Sequence, residues 1–202
     1  YRCAMTVHDW QSLPLDIDSG EAIARTGLDY RLVDTSGADT FGDWLQAGNR
    51  GFHAPDSGEE QLGAARDALA YRRTTGVYDA TGPNPTWPVA TTGSWVSDLT
   101  LPGGGGIPMW AISNVTVAPT HRRRGIARAL LEGELRTAAD AGVPIAGLTV
   151  TEAVIYGRFG FAPAAFATDW TIETARAGWR GPRPDGRIDF IDRERLSAEL
   201  PA

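Results

Sequence analysis

Residues 115–127 read VTVAPTHRRRGIA and predict the end of a strand, a basic loop containing glycine, and the start of a helix. Arg122, Gly125 and Ala127 match the pattern Arg/Gln-x-x-Gly-x-Gly/Ala, and an extended run before them and a periodic helix after them supply the context that such a loop needs. A helix start presents unpaired backbone N–H groups and about half a positive charge. Small residues let a diphosphate approach that backbone, and Arg122 and Arg123 add positive charge. The stretch therefore predicts a pyrophosphate site in this loop.

Two other interpretations of the loop stay open. Arg122–Arg124 can form a solvated basic patch in which Gly125 only shapes a turn, or they can form a nucleic-acid patch. The net charge of −6 and the lack of other basic clusters beside the loop argue against nucleic acid. The helix does not distinguish these interpretations, because Ile126, Leu130 and Leu131 would pack on the sheet in any α/β protein.

On both sides of this stretch the pattern of apolar residues predicts an α/β chain with one mixed sheet. Four consecutive glycines, 103–106, predict the flexible tip of a hairpin. The predicted strands cover residues 29–34, 74–80, 88–101, 108–117, 145–150 and 165–174. The predicted helices cover residues 41–47, 59–72, 124–141 and 154–159.

The second informative stretch is TEAVIYGRFGF, residues 151–161. Tyr156 follows the C-terminal end of a predicted buried strand, where open α/β sheets usually bind their ligands. As a functional residue, Tyr156 would be a general acid whose phenol protonates a departing thiolate. As a structural residue, it would be a partly buried aromatic packed against Phe159 and Phe161, and this stretch alone favours that interpretation.

Together, VTVAPTHRRRGIARALL (115–131) and EAVIYGRFGF (152–161) resemble the GNAT acetyltransferases, specifically their bacterial Eis-like (enhanced intracellular survival) branch. The resemblance runs in order over residues 29–175. It implies a GNAT-like mixed sheet whose fourth and fifth strands splay apart to admit the pantetheine arm of acetyl-CoA. It also implies that the strand backbone at Val115 and Val117 binds the pantetheine and that Tyr156 is the general acid. The other coenzyme-binding residues that it implies are Arg122, Arg123, Gly125, Ile126, Ala127 and Thr151.

The resemblance further implies a primary amine as the acceptor, of the aminoglycoside, polyamine or lysine type. The region between the first strand and the second helix usually lines the acceptor pocket in this family. Here it offers Phe41, Trp44, Phe52, His53 and Asp56. Asp56 or Glu59 would attract a cationic amine and Trp44 would face it. The alternative is that the aromatic residues belong to the core and the acidic residues are solvated.

The chain departs from the family pattern at the general base. Eis-like proteins continue into a second acetyltransferase-like domain and a third, sterol-carrier-like domain, whose C-terminal carboxylate acts as the base. The predicted fourth strand, residues 108–117, contains no acidic residue, and Glu152 reads equally well as a structural carboxylate at a helix start. Two functions therefore stay open, which are catalytic N-acetyl transfer and acetyl-CoA binding without turnover, in a regulatory or interaction module.

Composition predicts four segments along the chain. An N-terminal extension of unknown role covers residues 1–28, and the acetyltransferase domain covers 29–175. A linker rich in arginine, glycine and proline covers 176–186, and the start of a second domain covers 187–202.

The remaining composition narrows the chemistry. A single Cys3 and three scattered histidines offer no metal-ligand spacing, so no metal is expected. All 19 basic residues are arginine, which excludes Schiff-base chemistry and a P-loop lysine. No apolar run approaches the roughly 20 residues of a membrane span. We therefore expect a cytoplasmic protein whose partners are acetyl-CoA and a small amine, not nucleic acid or membrane, and self-association stays open.

Overall fold

A computed structural model describes residues 10–150, 153–166, 168–182, 185–187 and 189–199. The chain divides into two compact units, with the boundary between Phe161 and Ala162. Among the helices of the described residues, none is long and apolar enough to cross a membrane.

The first unit contains one five-stranded sheet with the strand order β1-β2-β3-β4-β5. The first four strands pair antiparallel, whereas β5 pairs parallel to β4. The predicted mixed sheet is therefore confirmed, as is the hairpin tip at the glycine run between β3 and β4. The strands are β1 (Asp29–Val33), β2 (Arg73–Tyr78), β3 (Pro88–Thr100), β4 (Gly106–Val117) and β5 (Ile145–Leu148).

Helices pack on both faces of the sheet. Val77 and Tyr78, neighbours on β2, join different apolar clusters, because successive side chains of a strand point to opposite faces. One cluster contains residues of α1 and α4, and the other contains residues of α2 and α3. The helices of this unit are α1 (Ile17–Ala24), α2 (Ala38–Gly51), α3 (Glu59–Leu69) and α4 (Ile126–Asp140).

The segment before β1, to which the sequence assigned no structure, contains α1, which docks on α4. Asp16 caps α1 by accepting from the Ser19 N–H at 2.8 Å, and it also binds the Arg136 guanidinium through both oxygens, at 2.7 and 3.0 Å. These contacts, the Arg136 hydrogen bonds foremost, lower the pKa of Asp16 to about 2. The Ser19 hydroxyl donates to Ala129 O at 2.6 Å. Residues 16–24 are thus part of the first unit's packing.

A β-bulge interrupts the pairing of β3 with β4. Thr91 is the register partner of Thr116 and Gly93 is the partner of Ser113, so one residue of β3 faces two residues of β4. The bulge shifts the alternation of side chains along β4. Ile112 and Val115, three residues apart, both join the cluster on the α4 side of the sheet.

Two predicted elements differ from the structure. Residues 165–174 form no strand in the part of that stretch that the structure describes. A strand requires a paired neighbour, and an alternating apolar pattern does not specify one. The predicted helix over 154–159 consists of two short 3-10 turns, Ala153–Ile155 and Gly157–Phe159. In the second unit the structure contains one helix among its described residues, α5 (Arg193–Glu199), within the predicted start of a second domain.

A buried ion pair connects four segments of the first unit. Arg73 of β2 donates through Nη1 to Glu134 Oε1 of α4 at 2.9 Å, and both side chains are 1% exposed. Trp110 of β4 donates through Nε1 to the other oxygen of Glu134 at 2.9 Å. Arg73 also donates through Nη2 to the carbonyl oxygens of Leu13 and Pro14, at 3.3 and 3.1 Å.

Arg73→Met is expected to lower the free energy of unfolding by about 3–5 kcal/mol, because it leaves the Glu134 carboxylate buried without its countercharge. Arg136→Met is the matched control, since Arg136 pairs with a carboxylate near the surface, where an ion pair contributes within about 1 kcal/mol. Urea denaturation measures both variants. Equal losses would contradict the central role of the buried pair.

Candidate active site

The cleft of the first unit lies where β4 and β5 separate. The two strands pair at four positions, from Met109 with Ile145 to Ile112 with Leu148. β5 ends there, whereas β4 continues through the bulge to Val117. The predicted splay of the fourth and fifth strands is confirmed. A cleft of about 1030 Å³ opens beside the free part of β4, and its other walls are the end of α2, the start of α4 and residues within 148–150 and 155–159.

The backbone of β4 beyond the bulge faces this cleft. The Ala118 N–H donates to Val89 O at 2.7 Å, so the alternation of an antiparallel ladder turns the N–H and C=O of Val117 away from β3. The Arg122 Nε–H reaches Val117 O at 3.4 Å from that open side. Val115 and Val117 both line the cleft. Their strand therefore offers main-chain donors and acceptors to an extended ligand.

The loop after β4 presents a second set of main-chain donors. Arg123 and Gly125 have φ angles of 64° and 82°, and Gly125 is the N-cap of α4. The first helical bond runs from Ala129 N to Gly125 O at 3.0 Å. No side chain among the described residues caps this helix start. The N–H groups of the first turn, with the small Gly125 and Ala127 beside them, are open towards the cleft.

The charged side chains of the cleft give it a local positive field. Among the described lining residues, every charged side chain is an arginine, although the whole chain has a net charge of −6. These arginines are Arg122, Arg123, Arg128 and Arg158. A helix N-terminus surrounded by arginine suits a phosphorylated ligand, so the residues present fit a pyrophosphate.

His121 anchors the loop, a role that sequence analysis missed. Its Nε2 lies 3.2 Å from Asp79 Oδ2 in the loop between β2 and β3, and its Nδ1 lies 2.8 Å from the Thr120 hydroxyl. Hydrogen bonds from the Thr81 hydroxyl and N–H, and then from His121, lower the pKa of Asp79 to about 2. The carboxylate is therefore an acceptor and His121 Nε2 donates to it. No local pattern signals a contact between residues 42 positions apart.

Tyr156 lies between the two 3-10 turns and lines the cleft. The side chain is half-buried, and its ring packs edge-to-face on Phe161 with centroids 6.1 Å apart. Packing against Phe161 is the structural role that the sequence suggested, and the position in the cleft also suits the functional role. Thr151 and Glu152 lie outside the described residues.

The end of α2 forms the wall next to the bulge, and glycines bring it close. A Cβ atom on Gly51 would lie 2.5 Å from Thr116 Cβ, and one on Gly48 would lie 3.5 Å from Asn114 Nδ2. This approach brings Phe52 and His53, which follow the helix, into the cleft lining. Phe52 is 54% exposed.

The structure corrects the assignment of Trp44 to the acceptor pocket. Trp44 is fully buried, stacks on Phe41 and donates its indole N–H to Thr75 O at 2.8 Å. It has no surface with which to face a ligand. Asp56 is exposed in the loop after α2 and is not among the described residues that line the cleft.

Comparisons with known proteins agree with this arrangement. A family model described as an acetyltransferase (GNAT) domain matches residues 33–164. An uncharacterized N-acetyltransferase of Streptomyces avermitilis is 41% identical over 157 residues, which cover 75% of this chain and 36% of that protein. N-acetyltransferase Eis of Mycobacterium tuberculosis is 43% identical over 90 residues, which cover 45% of this chain and 22% of that protein. The chain thus spans much less than half the length of these curated relatives.

Solved structures share the fold. A predicted acetyltransferase of Clostridium acetobutylicum, solved with acetyl-CoA, superposes with a TM-score of 0.56 at 16% sequence identity. The match covers 71% of this chain and 96% of that one. At this identity the likeness concerns the fold alone.

Proposed function

The chain belongs to the GNAT acetyltransferase family, and we propose that it transfers the acetyl group of acetyl-CoA to a primary amine. The observation that carries the proposal is the pairing of two main-chain surfaces in one cleft. The free edge of β4 and the uncapped start of α4 lie side by side, within a cleft whose charged lining residues are arginines. An extended ligand with a charged diphosphate at one end suits both surfaces.

In this proposal the loop binds the pyrophosphate of acetyl-CoA. The N–H groups of Gly125, Ile126 and Ala127 donate to phosphate oxygens, and Arg122 and Arg123 supply the countercharge. The surroundings of Gly125 support this assignment. A Cβ atom on Gly125 would meet no protein atom within 4 Å, so the space beside the backbone is open to a ligand. The pantetheine arm would bind along the backbone of Val115 and Val117, as an added strand does.

The reaction follows from this orientation. A neutral amine attacks the thioester carbonyl carbon, a C–N bond forms and the C–S bond breaks, and the nitrogen releases its extra proton to solvent. Tyr156 donates its phenol proton to the departing sulfur, a role supported by its position in the lining of the same cleft as the start of α4. General acid assistance of this type typically contributes about 10²–10⁴-fold to the rate.

We infer that the amine enters beside the end of α2. Phe52 is an exposed aromatic that can pack on an alkyl chain or face a cation, and His53 lies next to it. Acceptors of the aminoglycoside, polyamine or lysine type are the class to test. Asp56, in the exposed loop that follows, could attract such a cation before it enters.

A thiol-release assay tests the proposed activity directly. The protein is incubated with acetyl-CoA and each member of a panel of polyamines, aminoglycosides and lysine peptides, and free coenzyme A is measured. We expect release that depends on at least one amine, together with acetylated product by mass spectrometry. Tight acetyl-CoA binding without release on any amine would favour a binding module instead.

Gly125→Val is expected to weaken acetyl-CoA binding by about tenfold or more, because a β-branched residue at φ 82° distorts the loop and its side chain occupies the ligand's approach. Gly142→Val is the matched control. Gly142 follows the other end of α4, has a φ of 73° and also has open space beside it. Titration calorimetry measures both variants. If Gly142→Val weakens binding as much as Gly125→Val, the pyrophosphate assignment is wrong.

Tyr156→Phe is expected to keep the affinity for acetyl-CoA and to lower kcat by about 10²–10⁴-fold, because the transferable proton is lost while the ring packing on Phe161 remains. Tyr71→Phe serves as the control, since Tyr71 is outside the described lining of the cleft and packs edge-to-face on Trp95. Steady-state rates on the most active amine check this. Parental turnover in Tyr156→Phe would leave Tyr156 with a packing role.

A further inference from the structure

Two threonine hydroxyls meet behind the bulge of β4. Thr91 of β3 is fully buried, and Thr116 of β4, its register partner, is 8% exposed. Their Oγ1 atoms are 2.6 Å apart. The Thr91 hydroxyl also lies 2.7 Å from Asn114 O, the carbonyl of the bulge residue.

The directions of these hydrogen bonds follow because each threonine hydroxyl has one hydrogen to donate. A carbonyl oxygen only accepts, so the single hydroxyl hydrogen of Thr91 is donated to Asn114 O. The contact between the two hydroxyls then requires Thr116 to donate to Thr91. The result is a directed chain from Thr116 through Thr91 to the backbone of the bulge.

This chain of hydrogen bonds ends on the residue at which the bulge interrupts the ladder. Asn114 has a φ of 53°, in the left-handed region, and β3 offers one residue where β4 has two. The Thr91 hydroxyl satisfies the Asn114 carbonyl in this interrupted part of the ladder. Without that donor, the half-buried carbonyl would lose its side-chain partner and the bulged conformation would lose stability relative to a regular register.

The bulge determines which groups of β4 reach the cleft. A one-residue shift in register moves every following side chain to the other face of the sheet. Here the bulge puts Val115 on the α4 side and leaves the N–H and C=O of Val117 pointing away from β3. Closing the bulge would reverse this alternation over the free part of β4.

We propose that Thr91 is a positioning residue that holds the bulge open and so aligns the β4 backbone for the pantetheine arm. Thr91 is not among the described residues that line the cleft, so it acts through Asn114 and not on the ligand. The inference rests on the proposed function, because it assigns pantetheine to the edge of β4. The inference predicts that binding at the pantetheine end of the site depends on Thr91 and that binding at the pyrophosphate end does not.

The test compares two ligands on Thr91→Val, which keeps the shape of the side chain and removes its donor. Acetyl-CoA spans both ends of the site, whereas 3′-phosphoadenosine 5′-diphosphate keeps the pyrophosphate and lacks the pantetheine. We expect the Kd for acetyl-CoA to rise about tenfold, the order of one lost hydrogen bond. The Kd for 3′-phosphoadenosine 5′-diphosphate should stay at the parental value. Thr91→Ser, which keeps the hydroxyl, should restore most of the acetyl-CoA affinity.

Thr74→Val is the matched control. Thr74 is 2% exposed on β2, and its hydroxyl donates to Val33 O at 2.7 Å, so it makes the same type of buried bond in the same sheet. It should lower the melting temperature without changing either Kd. Thr91→Cys, which keeps only a weak donor, should show a smaller loss of acetyl-CoA affinity, and it tests the role of Thr91 if Thr91→Val does not fold.

Each outcome bears on one proposal. Parental acetyl-CoA affinity in folded Thr91→Val, or equal losses for the two ligands, would overturn the role of Thr91 and leave the proposed function standing. A parent protein that binds neither ligand would overturn the proposed function itself. Selective loss of acetyl-CoA affinity in Thr91→Val with rescue by Thr91→Ser supports the inference.

Discussion

The position of α4 relative to the sheet depends on one buried charge pair. Arg73 and Glu134 are both removed from water, so each requires the other. Trp110 donates to Glu134, and the carbonyls of Leu13 and Pro14 accept from Arg73, whose buried Nε–H has no partner among the described residues. Glu134 lies eight residues into α4, roughly 12 Å from the start of the helix. Because a helix is rigid over that length, the pair that holds Glu134 against β2 and β4 also sets where the first turn of α4 meets the cleft.

The cleft itself arises from an interruption in the sheet. β5 stops pairing after Leu148, and the bulge in β4 at Asn114 changes which backbone groups face the gap. The end of α2 can approach this part of β4 because Gly48 and Gly51 have no side chains. The candidate site is thus formed mainly by backbone: a strand edge, a helix start and a loop anchored by His121 on Asp79. Phe52 and His53 on the α2 wall are the neighbouring positions at which side chains following a helix end line the cleft.

The comparisons confirm the resemblance that two short motifs indicated. The loop at 122–127 and the order of strands around it identify a GNAT acetyltransferase, and the match to the mycobacterial Eis protein supports the Eis-like relationship. The roles of the individual residues, including Val115, Gly125 and Tyr156, stay predictions, although the structure brings these three into one cleft.

Trp44 shows why aromatic residues are hard to assign from a pattern. Its position on α2 is compatible with a pocket or with the core, and only the packing of α2 on β2 and β3 buries it.

The sequence by itself determined the features that depend on near neighbours. Five strands, the long helix after the basic loop, and the glycine that starts that helix all follow from residue types and spacings within about a dozen positions. The tertiary structure decided the features that join distant parts of the chain. These are the pairing of Arg73 with Glu134, 61 positions apart, the contact of Asp79 with His121, the docking of α1 on α4, and the meeting of Thr91 with Thr116 and Asn114. Such contacts depend on strand register and helix packing, which are set by the burial of the whole core, and no local spacing encodes which hydroxyl will face which carbonyl.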